Sequence, residues 1–381
     1  MKGKKMKVLI VHEIFLPEFS GGGEIIMYEL AKGLKEKGFE VEVITSGDPK
    51  IKEYRGIKTF RVWFPGKMLR RYLFNFLAFP FVLKKGKDCD LIHTTTYNSV
   101  FPSYLAAKIL GKPIVCTMLG LYGKKWKEIR PEFFERLGIF AHFSTFLSFM
   151  FEKVIAKLDY DKIILLSRFS KKILKEMRGS VKNAEIVMPG VYHQGFKKRR
   201  KKKYVLFVGR LEKQKGFDIL IKVAKKLSDI NFLVVGSTNK LNSKIRKILP
   251  KNVKLLGTKF GKSLRKLYEE ALIFFLPSRA ETLGLVILEA MAAGCAIVST
   301  VPLNYKGFKI KENESVESIA KKIEFLIKNE KVAREWGEEN RKIGKKYSWK
   351  NFVEKIVKIY EEILKDHNFR VSYHQLKAHL L

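Results

Sequence analysis

Residues 202–228, KKYVLFVGRLEKQKGFDILIKVAKKLS, decide the fold. An apolar run, YVLFV, ends on Gly209 and Arg210. Lys215 and Gly216 follow within a few residues, and then apolar positions recur at helical spacing through FDILIKVAKKLS. A short apolar strand, a glycine-bearing turn and an amphipathic helix make the first half of a βαβ unit. The pattern continues downstream. NFLVVGS and VKLLG read as strands, KSLRKLYEEA as a helix, LIFFLPS as a strand, LGLVILEAMAAG as a helix and AIVST as a strand. Upstream the alternation has already run once: KVLIVHE, the helix GEIIMYELAKGLKEKG closed by Gly38, then EVEVITS, DLIHTTT, KPIVCTM and AEIVMPG. Apolar strands separated by helices predict parallel sheets with helices on both faces. Pro189, Gly190 and the basic run KKRRKKK at 197–203 punctuate a boundary. The expected architecture is therefore α/β, with two doubly wound parallel-sheet domains. These are residues 1–190, residues 191–347, and a last helix with a tail over 348–381.

Composition narrows the class. The 381 residues include 46% hydrophobic side chains, enough for two cores, which excludes a disordered polycation. The net charge is +38, and residues 51–250 carry 43 basic against 14 acidic side chains while residues 1–50 balance. Such a surface attracts polyanions: nucleic acid, anionic lipid headgroups or phosphorylated substrates. Cys89, Cys116 and Cys295 are scattered, with no CxxC and no histidine at ligand spacing. That argues against a disulfide framework and a zinc site and for a reducing, cytoplasmic compartment. The N-terminal run VLIV is too short for a signal peptide, and no stretch reaches the ~18 apolar residues of a spanning helix. Segments 70–87 and 140–158 are dense in Phe and flanked by Lys and Arg. They read either as buried helices of the first domain or as interfacial helices that would hold the chain at the cytoplasmic face of an anionic membrane.

Three places carry chemistry. Gly21, Gly22 and Gly23 sit between the first strand and first helix, where a backbone can approach a ligand and a helix N-terminus favours anions. Gly209, Arg210 and Lys215 lie at a strand's carboxyl end, where open α/β sheets bind ligands; the two cations make a clamp for a diphosphate. In RAETLGLVILEAMAAG, residues 279–294, a helix resumes near Gly284 and Leu285, whose N–H groups can receive a phosphate. Glu289 lies five residues on, about 7.5 Å along the axis at ~1.5 Å per residue. That distance suits a ribose diol when the diphosphate sits at the helix start. Glu281, still in the loop, would reach the sugar side. Asp88–Cys89–Asp90 has the look of a metal motif but abuts the strand LIHTTT and reads as a loop.

With these residues in place the chain resembles the retaining glycosyltransferases of family 4, over nearly its whole length. GGGE, VGRLEKQKGFDILI and ETLGLVILEAMAAGCAIV are similar to that family's glycine loop, its Arg-to-Lys segment and its paired-glutamate segment, and SWKNFVEKIVKIYEEI resembles its last helix. The resemblance implies the GT-B fold, with the nucleotide-sugar site in the cleft between two Rossmann-like domains. It implies retention of configuration without a metal or other cofactor. It assigns the donor diphosphate to Arg210, Lys215, Gly284 and Leu285, the ribose to Glu289 and the sugar hydroxyls to Glu281. Gly21 and Gly22 would approach the sugar-phosphate. The catalytic set is then Glu281, Arg210 and Lys215, with Gly209 beside the donor; His93, which matches an earlier histidine of the family, stands either on the acceptor or sugar side or partly in the core.

Departures are local. Leu119 stands where the family often has a histidine, and VPLNYKGFKIKENESVESIAKKI shortens the loop after AIVST. Three functions are expected in competition. The first is a transferase acting on a lipid-linked, anionic or membrane-surface acceptor. The second is a nucleotide-sugar-binding partner subunit without catalysis. The third is a binder of polyanions such as nucleic acid, for which KKRRKKK speaks but no recognised nucleic-acid motif does.

Overall fold

The structure, a computed structural model, describes residues 5–19, 21–64, 73–128, 139–238 and 247–379, with side chains 126–128, 139–145 and 368–379 left out of the description. Residues 70–72 and the side chains of 140–145, within the two Phe-rich segments, lie outside what is described. The chain forms two units. One comprises Met1–Gly123, Phe149–Pro189 and Trp349–Leu381, and the other Lys124–Ser148 and Gly190–Ser348.

The first unit holds an eight-stranded sheet. In chain order its strands are β1 (Lys7–Val11), β2 (Glu40–Ser46), β3 (Glu53–Tyr54), β4 (Ile57–Val62), β5 (Leu91–Thr95), β6 (Ile114–Met118), β7 (Lys162–Leu165) and β8 (Ala184–Ile186). Their spatial order is β3-β4-β2-β1-β5-β6-β7-β8, and every pairing is parallel except β3 with β4. The order reverses between β1 and β5, the position where open sheets leave a crevice at their carboxyl edge. Helix α1 (Gly22–Glu36) follows β1, and Glu24 in its first turn accepts from the Gly21 N–H at 2.7 Å. Helices α2 (Phe79–Gly86), α3 (Val100–Leu110), α4 (Ile139–Lys157) and α5 (Arg168–Arg178) follow in sequence. The hairpin of β3 and β4 and the strand β7 were not among the elements expected. β3 is only two residues long, and DKIILLS lies between two helical patterns that mask it.

The second unit holds a six-stranded, wholly parallel sheet of β9 (Lys202–Val208), β10 (Asn231–Val235), β11 (Val253–Leu255), β12 (Ala271–Leu276), β13 (Ala296–Ser299) and β14 (Gly307–Lys309). The order is β11-β10-β9-β12-β13-β14, the dinucleotide-binding arrangement, with its switch point between β9 and β12. Helices α6 (Phe217–Lys226), α7 (Gly261–Glu270), α8 (Leu285–Ala292), α9 (Val316–Lys328) and α10 (Glu330–Gly344) cover it. Strand β12, ALIFFL, is buried at every position, as a central strand covered on both faces must be. Helix α11 (Trp349–His379) ends the chain and packs on the first unit. Its residues Trp349, Phe352, Val353, Ile356, Ile359 and Tyr360 are buried at helical spacing. A Val353 methyl lies 2.4 Å from where a Gly33 Cβ would stand, so a glycine in α1 is what lets the two helices approach.

Candidate active site

The switch point of the second sheet gathers the expected residues. After β9 the chain turns through Gly209 and Arg210 into a short 3-10 turn, Lys213–Lys215, and enters α6 through Gly216. Gly216 has φ +74°, and a Cβ there would lie 2.0 Å from the Pro277 carbonyl oxygen. Only glycine lets the loops after β9 and β12 touch in this way. Side chains then fasten them. Arg279 donates to both carboxylate oxygens of Asp218 at 2.7 Å and to the Lys213 carbonyl at 2.6 Å. The Arg279 N–H donates to the Gln214 carbonyl at 2.9 Å.

On this frame Lys215 and Glu281 form a direct, mostly buried ion pair. The Glu281 stem lies over Gly284, whose φ of +73° opens helix α8 with no side-chain cap. The first N–H groups of a helix have no intrahelical partner, so the Leu285 end of α8 presents donors and a positive dipole end next to the Lys215–Glu281 pair. About half of the Arg210 side chain is exposed while its nitrogens reach Glu212 at 3.1 Å and Gln214 at 2.7 Å. Glu289 lies a little over one turn into α8 and is half-buried. It accepts from the Tyr268 hydroxyl at 2.8 Å, and burial pushes its carboxyl up to about 7, against the opposing effect of that hydrogen bond. Gln214, Asp218, Arg279 and Tyr268 escaped the sequence reading. The only signal for them was their position within the same two loops, the first turn of α6 and the helix before β12.

In the first unit, Gly21 and Gly22 stand at the start of α1, on the carboxyl side of β1. His93 is not at a surface. It is fully buried in β5, with Nε2 2.7 Å from Thr117 Oγ1 and Nδ1 bonded to the Tyr360 hydroxyl. Both ring nitrogens are engaged and burial lowers its pKa to about 3, so this histidine ties β5, β6 and α11 together and offers no atom to a sugar or acceptor. Asp90 accepts from the Lys7 N–H at 2.7 Å, as a loop residue would. Among the described residues, no three His, Cys, Asp or Glu side chains group so as to hold a metal ion. None of the described helices is long and apolar enough to cross a membrane. Within KKRRKKK, five side chains have partners in the second unit. Arg199 meets Glu269 at 2.6 Å, Lys202 meets Glu270 at 2.7 Å, Lys198 meets Glu338 and Lys203 meets Glu330 each at 3.2 Å, and Lys201 donates to the Ala293 carbonyl at 2.8 Å.

Two doubly wound parallel-sheet units, the second with cations, a helix N-terminus and two glutamates at its switch point, define a GT-B glycosyltransferase. Comparison with known proteins gives the family. Residues 20–194 match Glycosyltransferase Family 4 and residues 191–343 match Glycosyl transferases group 1. The chain belongs to these family 4, group 1 glycosyltransferases. It is 28% identical over 384 residues to an uncharacterised glycosyltransferase of Methanocaldococcus jannaschii, covering 94% of this chain and 99% of that one. Among solved structures it is similar to sucrose-phosphate synthase from Thermosynechococcus elongatus, with TM-score 0.76 and 18% identity over 95% of this chain and 100% of the other. It is also similar to Anabaena HepE, solved in complex with UDP-glucose, with TM-score 0.73 and 18% identity over 94% and 100%.

Proposed function

We propose that the chain is a retaining, metal-independent glycosyltransferase that takes a sugar from a nucleoside-diphosphate donor and places it on a hydroxyl of a lipid-linked or membrane-surface acceptor. The observation that carries this reading is the Lys215–Glu281 pair beside the uncapped start of α8, with Arg210 in the adjoining loop. Cleavage of the sugar–phosphate bond builds negative charge on the leaving diphosphate. Lys215, Arg210 and the helix N-terminus would stabilise that charge in a fixed arrangement. Glu281, its carboxylate oriented by Lys215, would hold sugar hydroxyls and face the positive charge growing on the sugar ring. Glu289 would accept from the ribose diol through the oxygen that Tyr268 leaves available. For the acceptor, the support is apolar exposure. Phe76 (75% exposed) and Phe81 (46%) lie in the same stretch of chain as the exposed Lys84 and Lys87, and Phe146, Leu147 and Val154 are exposed along α4.

Thermal-shift screening against UDP-, GDP- and ADP-sugars, followed by product analysis, tests the reading, because a bound donor raises apparent stability by mass action. A donor should stabilise the wild type, and Arg210→Ala should abolish the shift. The product's anomeric configuration, read by NMR, should match that of the donor, and EDTA should not slow transfer. A stabilising donor with no transfer to any acceptor would favour the partner-subunit reading, which Leu119 and the shortened loop after β13 motivate.

A further inference from the structure

The first unit has its own polar corner at the β1/β5 switch point. His12, the residue after β1, is only 7% exposed. Its Nδ1 lies 2.7 Å from Thr95 Oγ1, and its Nε2 has no partner although it is shielded from water. Thr95 Oγ1 also lies 3.2 Å from Ser99 Oγ, and Ser99 Oγ lies 3.0 Å from the Thr95 carbonyl. Either ring tautomer satisfies the Thr95 contact, and in both Nε2 is left without a partner. Burial also holds the pKa of His12 down at about 4, which keeps the ring neutral.

The space in front of Nε2 is shaped by a missing side chain. A Cβ on Gly23 would lie 3.9 Å from His12 Nε2 and 3.1 Å from Leu119 Cδ1. The imidazole edge therefore faces the first turn of α1, a fifteen-residue helix, with Leu119 as an apolar wall. A buried polar atom left unpaired costs free energy, and such groups mark places where a ligand completes the hydrogen bonding. We propose that His12 Nε2 hydrogen-bonds a hydroxyl of the sugar substrate, which makes His12 a hydroxyl-binding residue of the first unit. A hydroxyl can donate or accept, so it completes the corner in either tautomer, and the neutral ring offers no charge to a diphosphate. This rests on the donor reading above. The hydroxyl comes from the transferred sugar or from the acceptor, and the experiment separates the two.

Two near-isosteres divide the ring's functions. The His12→Asn amide can keep the Thr95 bond at the Nδ1 position but has nothing at Nε2, while the His12→Gln carboxamide reaches the Nε2 position. Calorimetric titration with the stabilising nucleotide sugar and with its nucleoside diphosphate alone should show the sugar bound roughly tenfold more weakly by His12→Asn, the ratio one lost hydrogen bond carries. The nucleoside diphosphate should bind unchanged, and His12→Gln should recover most of the loss. If donor affinity holds but transfer to the acceptor falls by that ratio, the hydroxyl is the acceptor's. The inference is overturned if binding and transfer both stay within about twofold in His12→Asn. It is equally overturned if His12→Asn loses the nucleoside diphosphate along with the sugar and His12→Gln restores neither, since that is a structural role. A wild-type chain that binds no nucleotide sugar refutes the donor reading itself and takes this inference with it.

Discussion

Glu289 is a carboxyl group held near its ionisation point at neutral pH. Its folded pKa is raised to about 7 by burial, above the 4.5 of an ordinary glutamate. Between those values the folded chain keeps a proton that the unfolded chain has released, so this residue's contribution is intact below pH 4.5 and is lost as pH rises through 7. Glu289→Gln carries no such penalty. It should melt higher than wild type at pH 8, by up to about 3 kcal/mol from ~1.36 kcal/mol per unit, and the gap should close toward pH 4.5. Denaturant unfolding at the two pH values reads this directly, and a gap independent of pH would refute it. A ribose diol donates best to an ionised carboxylate, so donor affinity should also rise through pH 7 in wild type and stay flat in Glu289→Gln. The sequence showed that Glu281 lies in a loop and Glu289 on a helix, because the glycine and the apolar run mark the boundary. It did not show that Lys215 pairs with Glu281 or that Tyr268 holds Glu289. Those partners come from segments 66 and 21 residues away, and spacing along a chain carries no information about contacts made through a sheet.

At the scale of elements, the second sheet was readable because each of its long strands is a continuous apolar run followed by a helical period. What escaped was short or atypical. Strand β14 is three residues inside a segment that reads as a loop, and β3 is two. Helix α11 shows how a terminal element holds a distant core. Its Tyr360 hydroxyl bonds His93 Nδ1, and its ring meets the Phe39 ring at 6.5 Å between centroids. Tyr360→Phe keeps the packing but leaves a buried imidazole nitrogen without its partner, at a cost of about 1–3 kcal/mol. The first unit should then unfold a few degrees lower in calorimetry, while nucleotide binding should persist if the proposed donor site lies in the second unit. Gly216→Ala should act on the other unit. A methyl aimed at the Pro277 carbonyl from a left-handed residue must part the two loops that hold Lys215 and Glu281. Donor affinity should fall more than tenfold alongside stability. Retained affinity would mean that the loops close without that contact.

For the whole molecule, the question is what the charge of +38 is for. In the densest basic run Lys198, Lys202 and Lys203 each pair with a glutamate of the second unit yet stay more than half exposed, while Lys201 is buried, so that charge is only partly neutralised. Basic residues that remain exposed beside apolar ones have a different chemistry. Phe76, Leu77 and Phe81 are exposed within a dozen residues of the exposed Lys84 and Lys87 along the chain, an expensive arrangement unless a surface covers it. An anionic bilayer satisfies both halves, rings entering the acyl boundary and ammonium groups meeting headgroups, each cation contributing about 1 kcal/mol near the surface. The chain should therefore sediment with phosphatidylglycerol-containing vesicles and not with purely zwitterionic ones. Phe76→Ser with Phe81→Ser should release it even at low salt, because headgroup attraction alone is screened within about 10 Å at 0.1 M. Lys84→Glu with Lys87→Glu should shift binding toward lower salt without removing the apolar component. If the chain sediments equally with both vesicle types, or ignores the loss of the two rings, its charge serves a soluble anionic acceptor and the membrane reading fails. Binding to an oligonucleotide that a nucleotide sugar cannot displace would return the polyanion reading to first place.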